Sequence, residues 1–187
     1  MKIPLCFQVT EYDCGTTSLL NVFTYLFDRE RIPVSLVKVI YKYTLDAEGE
    51  NGIVGEAGTS RDAIEKFVCW LEKSNFDIKC LLLRDKLVDV NSLINCIKDG
   101  GCVLARCYQE GEHYVIITGI DDKFAYIFDP YYLEAGIYDD DDEVTMIFDE
   151  NFSHNRVVTL NRLFGESNED FSLMEVDKRE VVLFNKI

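Results

Sequence analysis

Gln8-Val9-Thr10-Glu11-Tyr12-Asp13-Cys14-Gly15-Thr16-Thr17-Ser18 runs straight into Leu19, Leu20, Val22, Phe23, Leu26 and Phe27, apolar residues that recur at helical spacing. The spacing predicts a helix from Thr16 to Phe27 that buries one broad face and carries Cys14 at its start. A thiol at that position feels the positive end of the helix dipole and unpaired backbone N–H groups, which favour thiolate over thiol. Gln8, upstream, brings a side-chain amide that can donate to a developing negative charge. A cysteine before a helix is more often packing than nucleophile, so this stretch needs partners elsewhere in the chain.

Working outward, residues 28–33 break the first helix, and residues 34–43 read as a second helix or as a helix-strand ambiguity. Residues 48–58 are glycine-rich and acidic, hence loop. Ser60 and its neighbours offer caps for a helix over 60–74, residues 77–83 look like a strand, and 89–99 read as a short helix closed by Gly100-Gly101. The remainder turns to β: 102–108, 114–121, 124–129, 143–148 and 180–184, with Asp121-Asp122-Lys123 as a tight hairpin connection. The expected fold class is α+β, a helical front carrying the thiol and an antiparallel sheet behind it. No linker composition or repeat divides residues 1–187, which read as one domain.

Composition narrows the partners. The 34 acidic and 19 basic residues give a net charge of −15, which argues against a nucleic-acid partner. No run of eighteen apolar residues and no signal-peptide-like start is present, so a cytoplasmic protein without a transmembrane segment is expected. The seven cysteines (6, 14, 69, 80, 96, 102 and 107) are odd in number and lie mostly in apolar strings such as residues 67–71, where they read as buried free thiols. No Cys-x-x-Cys pair or His/Cys cluster occurs, and neither a metal nor a cofactor is expected.

Of only two histidines, His113 opens a strand whose hairpin partner ends at Asp129. Two strands of that length and a short turn bring both residues to the same end of the hairpin, where they can face one another. Each side chain then has a role suited to acyl transfer: Cys14 attacks a carbonyl, His113 carries the proton, Asp129 orients the imidazole and Gln8 donates to the oxyanion.

Gln8-x5-Cys14-Gly15 with Asp13 before the thiol, His113-Tyr114-x4-Gly119 and Asp129-Pro130 together resemble the C39 peptidases of the papain-like cysteine protease superfamily. These are leader-peptide proteases of bacteriocin exporters and their stand-alone relatives. The resemblance covers residues 3–132 and includes Gly58-Thr59-Ser60 ahead of a central helix and residues 99–104 leading into the sheet. It implies a papain-like fold in a bacterial protein, Cys14 as nucleophile, His113 as base, Asp129 as orienting acid and Gln8 as oxyanion donor. It also implies a peptide or leader-peptide substrate, cut after Gly-Gly in the exporters, and allows association with an export system. The chain departs from the pattern at Thr16-Thr17 and in the acidic segment 134–143.

The same four residues serve acyl transfer to an amine or alcohol equally well, and a papain-like module that binds peptides without turnover is a third reading. Tyr131 and Tyr132, next to Asp129, are candidate substrate-binding residues. The acidic run 139–143 reads as a solvated turn, because consecutive carboxylates lack the spacing of a calcium loop. His154 reads as a surface loop residue, and Asp13 as a helix-start or loop-fixing acid.

Overall fold

One sheet of seven strands organises the molecule, in the order β1-β7-β2-β3-β4-β6-β5 with every neighbouring pair antiparallel. The computed structural model describes residues 1–149 and 151–187. The strands are β1 (Ile78–Arg84), β2 (Cys102–Tyr108), β3 (Glu112–Ile120), β4 (Phe124–Phe128), β5 (Val144–Met146), β6 (Arg156–Thr159) and β7 (Glu180–Lys186). The helices are α1 (Cys14–Leu26), α2 (Val34–Tyr43), α3 (Arg61–Glu72), α4 (Val90–Lys98) and α5 (Leu160–Leu163).

Alternation along the strands sends successive side chains to opposite faces, and both faces are covered. Leu104, Tyr114, Ile116, Phe128 and Phe184 face α1 and α3, where Leu19, Val22, Phe23, Ile64 and Phe67 complete a core of fully buried side chains. Val103, Ala105, Cys107, Val115, Ile117 and Val181 face the other way, against Leu93 of α4, Leu163 and Phe171. Two-sided burial is why β2 and β3 read as nearly continuous apolar runs in the sequence.

Several expectations are refined. The ambiguous segment 34–43 is helical as α2, and β3 begins two residues early, so that His113 lies inside the strand. Ser60 caps α3 by accepting from the Ala63 N–H at 3.1 Å, and Asp89 caps α4 by accepting from Asn91 and Ser92. Gly100 and Gly101 close α4 through N–H bonds to Ile97 and Cys96 carbonyls, each 2.9 Å. The sequence reading missed β6 and α5, and it did not place β7 between β1 and β2.

Two readings are corrected. Cys69 is exposed, because Phe67, Val68 and Leu71 turn α3 inward and leave Cys69 on its outer face; Cys6 is exposed as well. The acidic run is also more than a solvated turn: Asp141 takes both ends of the Arg162 guanidinium at 2.9 and 3.2 Å, and Glu143 accepts the Thr159 hydroxyl at 2.8 Å. Asp139, Asp140 and Asp142 remain exposed.

The inserted strand is held by charge as well as by its ladder. Glu180 at the start of β7 is 1 % exposed and accepts from Arg84 Nε at 2.6 Å and from the Tyr114 hydroxyl at 2.9 Å, with Arg61 at 3.4 Å. Removing one partner of a buried pair leaves the others uncompensated. Glu180→Ala should therefore lower unfolding stability by roughly 3 kcal/mol in urea titrations, with β7 losing amide protection first.

Candidate functional site

The Cys14 loop is built by Asp13. Its carboxylate accepts from the backbone N–H groups of Val9 (3.1 Å) and Thr10 (2.7 Å) and from the Thr10 hydroxyl (2.7 Å), folding residues 9–13 into a compact turn ahead of α1. Burial alone would raise the carboxyl pKa, but these hydrogen bonds outweigh it and hold the group below its usual range. Asp13 caps no helix N–H; it reaches backward into the loop and also accepts the Thr17 hydroxyl of α1 at 3.3 Å, on the oxygen it shares with Val9.

Cys14 is thus the first helical residue, and its N–H belongs to the first turn of the helix, which lacks intrahelical acceptors. Gly15 follows because Thr59 lies against it: a Cβ there would meet Thr59 Cβ and Oγ1 at 2.7 Å. Gly58, at φ +76°, backs the carbonyl of Tyr12. Thr16 and Thr17 are buried with their hydroxyls satisfied, Thr16 on Thr44 at 2.8 Å and Thr17 on Asp13. The Ser18 hydroxyl donates to the Tyr114 carbonyl at 2.8 Å and ties α1 to β3 beside His113.

From the other side, the β3–β4 hairpin pairs Ile116 with Phe128 and brings His113 and Asp129 to one end of the sheet. His113 Nε2 lies 2.8 Å from Asp129 Oδ1, and the Cys14 side chain is a second polar partner of the same imidazole. Burial pulls the imidazole pKa down, but the charge and hydrogen bond of Asp129, with Cys14, outweigh it and push it up to about 10. The Tyr131 ring stands edge-on to the imidazole, with centroids 6.4 Å apart.

Asp129 is completely buried, and the groups that surround its carboxylate were not legible in the sequence. The Tyr131 N–H donates to Oδ1 at 2.9 Å, while the Gln109 side-chain amide (3.2 Å) and the Arg156 guanidinium (3.4 Å) reach Oδ2. Asn155 clamps the backbone, accepting from the Asp129 N–H at 2.7 Å and donating to its carbonyl at 2.8 Å. Gln109 belongs to no motif, and Asn155 and Arg156 sit at the start of the unanticipated β6.

A cavity of about 420 Å³ opens onto Cys14 and His113, with Gln109 and Tyr131 in its wall. Tyr132 lies outside the cavity wall: it is 62 % exposed and edge-on to Phe7. Gln8 lies outside the cavity wall; its N–H donates to the Pro130 carbonyl at 2.8 Å and its amide Nε2 to the Thr10 carbonyl at 2.8 Å. His154 is away from this group, with Nδ1 2.9 Å from the Ser153 hydroxyl and its ring against Tyr126. Among the described residues no cluster of His, Cys, Asp or Glu has the arrangement of a metal site, and no helix is long and apolar enough to cross a membrane.

Comparison with known proteins gives one result. The model of the Peptidase_C39 like family matches residues 1–156, which hold Cys14, His113 and Asp129 and end at the first residue of β6. No curated protein and no solved structure matches. The α+β arrangement with its antiparallel sheet is compatible with a papain-like fold.

A histidine whose pKa is raised by folding stabilises the protein fully below its unfolded value, near 6.5, and loses that contribution as pH rises through the folded value. Stability in urea should accordingly fall between about pH 7 and pH 10, and the His113 ring signals should titrate near the upper end of that window. Asp129→Asn should move the ring titration down and flatten the stability slope. Gly15→Ala should cost about 1–3 kcal/mol, read as a lowered melting midpoint, because Thr59 cannot withdraw without losing its hydrogen bond from Leu45.

Proposed function

The chain belongs to the Peptidase_C39 like family, and on that premise we propose that it is a cysteine peptidase acting through a thioester acyl-enzyme. The observation that carries the reading is the buried imidazole of His113, held by Asp129 at 2.8 Å and sharing a cavity wall with Cys14. In the proposed cycle the Cys14 sulfur attacks the scissile carbonyl and its proton resides on His113. Collapse of the tetrahedral adduct breaks the C–N bond as His113 gives that proton to the departing amine. Water then attacks the thioester with His113 taking its proton, releasing the carboxylic acid and returning the thiol-imidazole pair.

The orphan N–H groups at the start of α1 are suited to the oxyanion. Gln8 is the second donor in this scheme, which requires its amide to exchange the Thr10 carbonyl for the oxyanion. Asp129 fixes the ring, with Arg156 and Gln109 holding it in place. Family membership supports a peptide substrate in this reading, and a leader cut after Gly-Gly and contact with an export system are carried over from the resemblance. All seven thiols are free, which suits a reducing compartment, and we place the protein in the cytoplasm.

Iodoacetamide at about pH 6.5 tests the nucleophile. Cys14, although buried, should be alkylated faster than the exposed Cys6 and Cys69, and His113→Ala should remove that advantage. Labelling in order of exposure alone would end the proposal. Against a peptide substrate, Cys14→Ala should abolish turnover while keeping the fold. Gln8→Ala should lower kcat on the order of 10²-fold, and His154→Ala should leave kcat unchanged.

A further inference from the structure

Resting on the reading of Cys14 and His113 as the reacting pair, we propose that the substrate carries a lysine or arginine side chain into the cavity that exposes the sulfur. The cavity that exposes the sulfur is walled in part by Glu11, Glu110, Glu112 and Asp170, and no lysine or arginine lines it. Glu112 is neutralised by Arg106. Among the described residues the other three carboxylates form no ion pair; Glu11 accepts the Tyr131 hydroxyl at 2.9 Å and Asp170 the Tyr138 hydroxyl at 2.8 Å, contacts that orient a carboxylate without cancelling its charge.

Acidic side chains on a surface are ordinarily just solvated. These differ in position, since they line the cavity onto which Cys14 opens, and any occupant of its 420 Å³ meets their field. Leu133, Ile137 and the ring of Tyr138 form the apolar remainder of the wall. Long cationic side chains match that combination: their methylene stems cover apolar surface, and their heads reach carboxylates and aromatic faces. A glutamate in the same place would meet three like charges. A neutral aliphatic residue would fill the space and leave the carboxylates without a counter-charge.

The test uses peptidyl vinyl sulfones identical except for lysine, norleucine or glutamate, walked through the positions preceding the warhead, with the rate of adduct formation at Cys14 read by mass spectrometry. At the matching position the lysine probe should react roughly tenfold faster than norleucine and the glutamate probe slower, and the ratio should shrink in about 0.5 M salt. The double variant Glu110→Gln, Asp170→Asn, its fold checked by circular dichroism, should bring the lysine-to-norleucine ratio towards one. Equal rates for all three probes at every position would overturn the cation preference and leave the nucleophile standing. An unchanged ratio in the double variant would likewise overturn it. Failure of every probe to modify Cys14 would overturn the reading on which the proposal rests.

Discussion

A carboxylate with no exposed surface is costly unless its lone pairs are occupied, and Asp129 is such a group. Its oxygens are met by His113, the Tyr131 N–H, Gln109 and Arg156, which come from β3, the chain just after β4, the β2–β3 turn and β6. Satisfying one acid therefore pins four pieces of chain together at a single end of the sheet. The N-terminal segment joins them through the backbone bond from Gln8 to Pro130, and this segment leads into the Cys14 loop. The geometry around the sulfur is in this sense a consequence of how Asp129 is buried.

The thiol side depends on a second contact that explains two motif fragments at once. Cys14-Gly15 and Gly58-Thr59-Ser60 are far apart in the chain, yet Thr59 lies where a Gly15 Cβ would go and Gly58 backs the carbonyl of Tyr12. Ser60 then starts α3, whose apolar face packs on α1 through Phe67 against Phe23. Small residues at 15 and 58 let the loop that precedes Cys14 sit directly on the entry to α3. Sequence reading found the fragments as separate signals; only the fold shows that they are the two sides of one interface.

What was legible in the chain was whatever local periodicity or capping encodes. Helical spacing marked α1 and α3, apolar runs marked β2 and β3, and the His113-to-Asp129 separation marked the hairpin end. Long-range pairing was not legible. Strand β7 lies between β1 and β2, and nothing in residues 180–186 announces those neighbours, because the run alternates between two buried faces and fits any interior position. The same limit hid Arg156: β6 is four residues long, shorter than a pattern needs, so its guanidinium could not be connected to Asp129. Cys69 was misread because its apolar neighbours were taken together, although the spacing of Ile64, Phe67, Val68 and Leu71 leaves it on the outer face of α3. The C-terminal strand also lies beyond residue 156, where the family match ends, yet it occupies an interior position in the sheet.

The acidic wall and the raised imidazole pose two demands on one small volume, and direct hydrogen bonding distinguishes them. The groups that raise the His113 pKa are Asp129 and Cys14, which touch the ring; burial opposes them. Among the described residues Glu11, Glu110 and Asp170 share the cavity but make no hydrogen bond or ion pair to the ring. Contact in a dry interior is strong, whereas charges at a wet rim are weakened by water and salt over about 8–10 Å. The proton on the imidazole is thus governed by the inner pair, and the rim is free to act on whatever approaches. An incoming cation would be drawn by the rim without resetting the ring, so recognition and proton transfer can vary independently. Were the carboxylates of the rim in contact with His113 instead, any change of substrate preference would also shift the proton, and the two properties would be bound together.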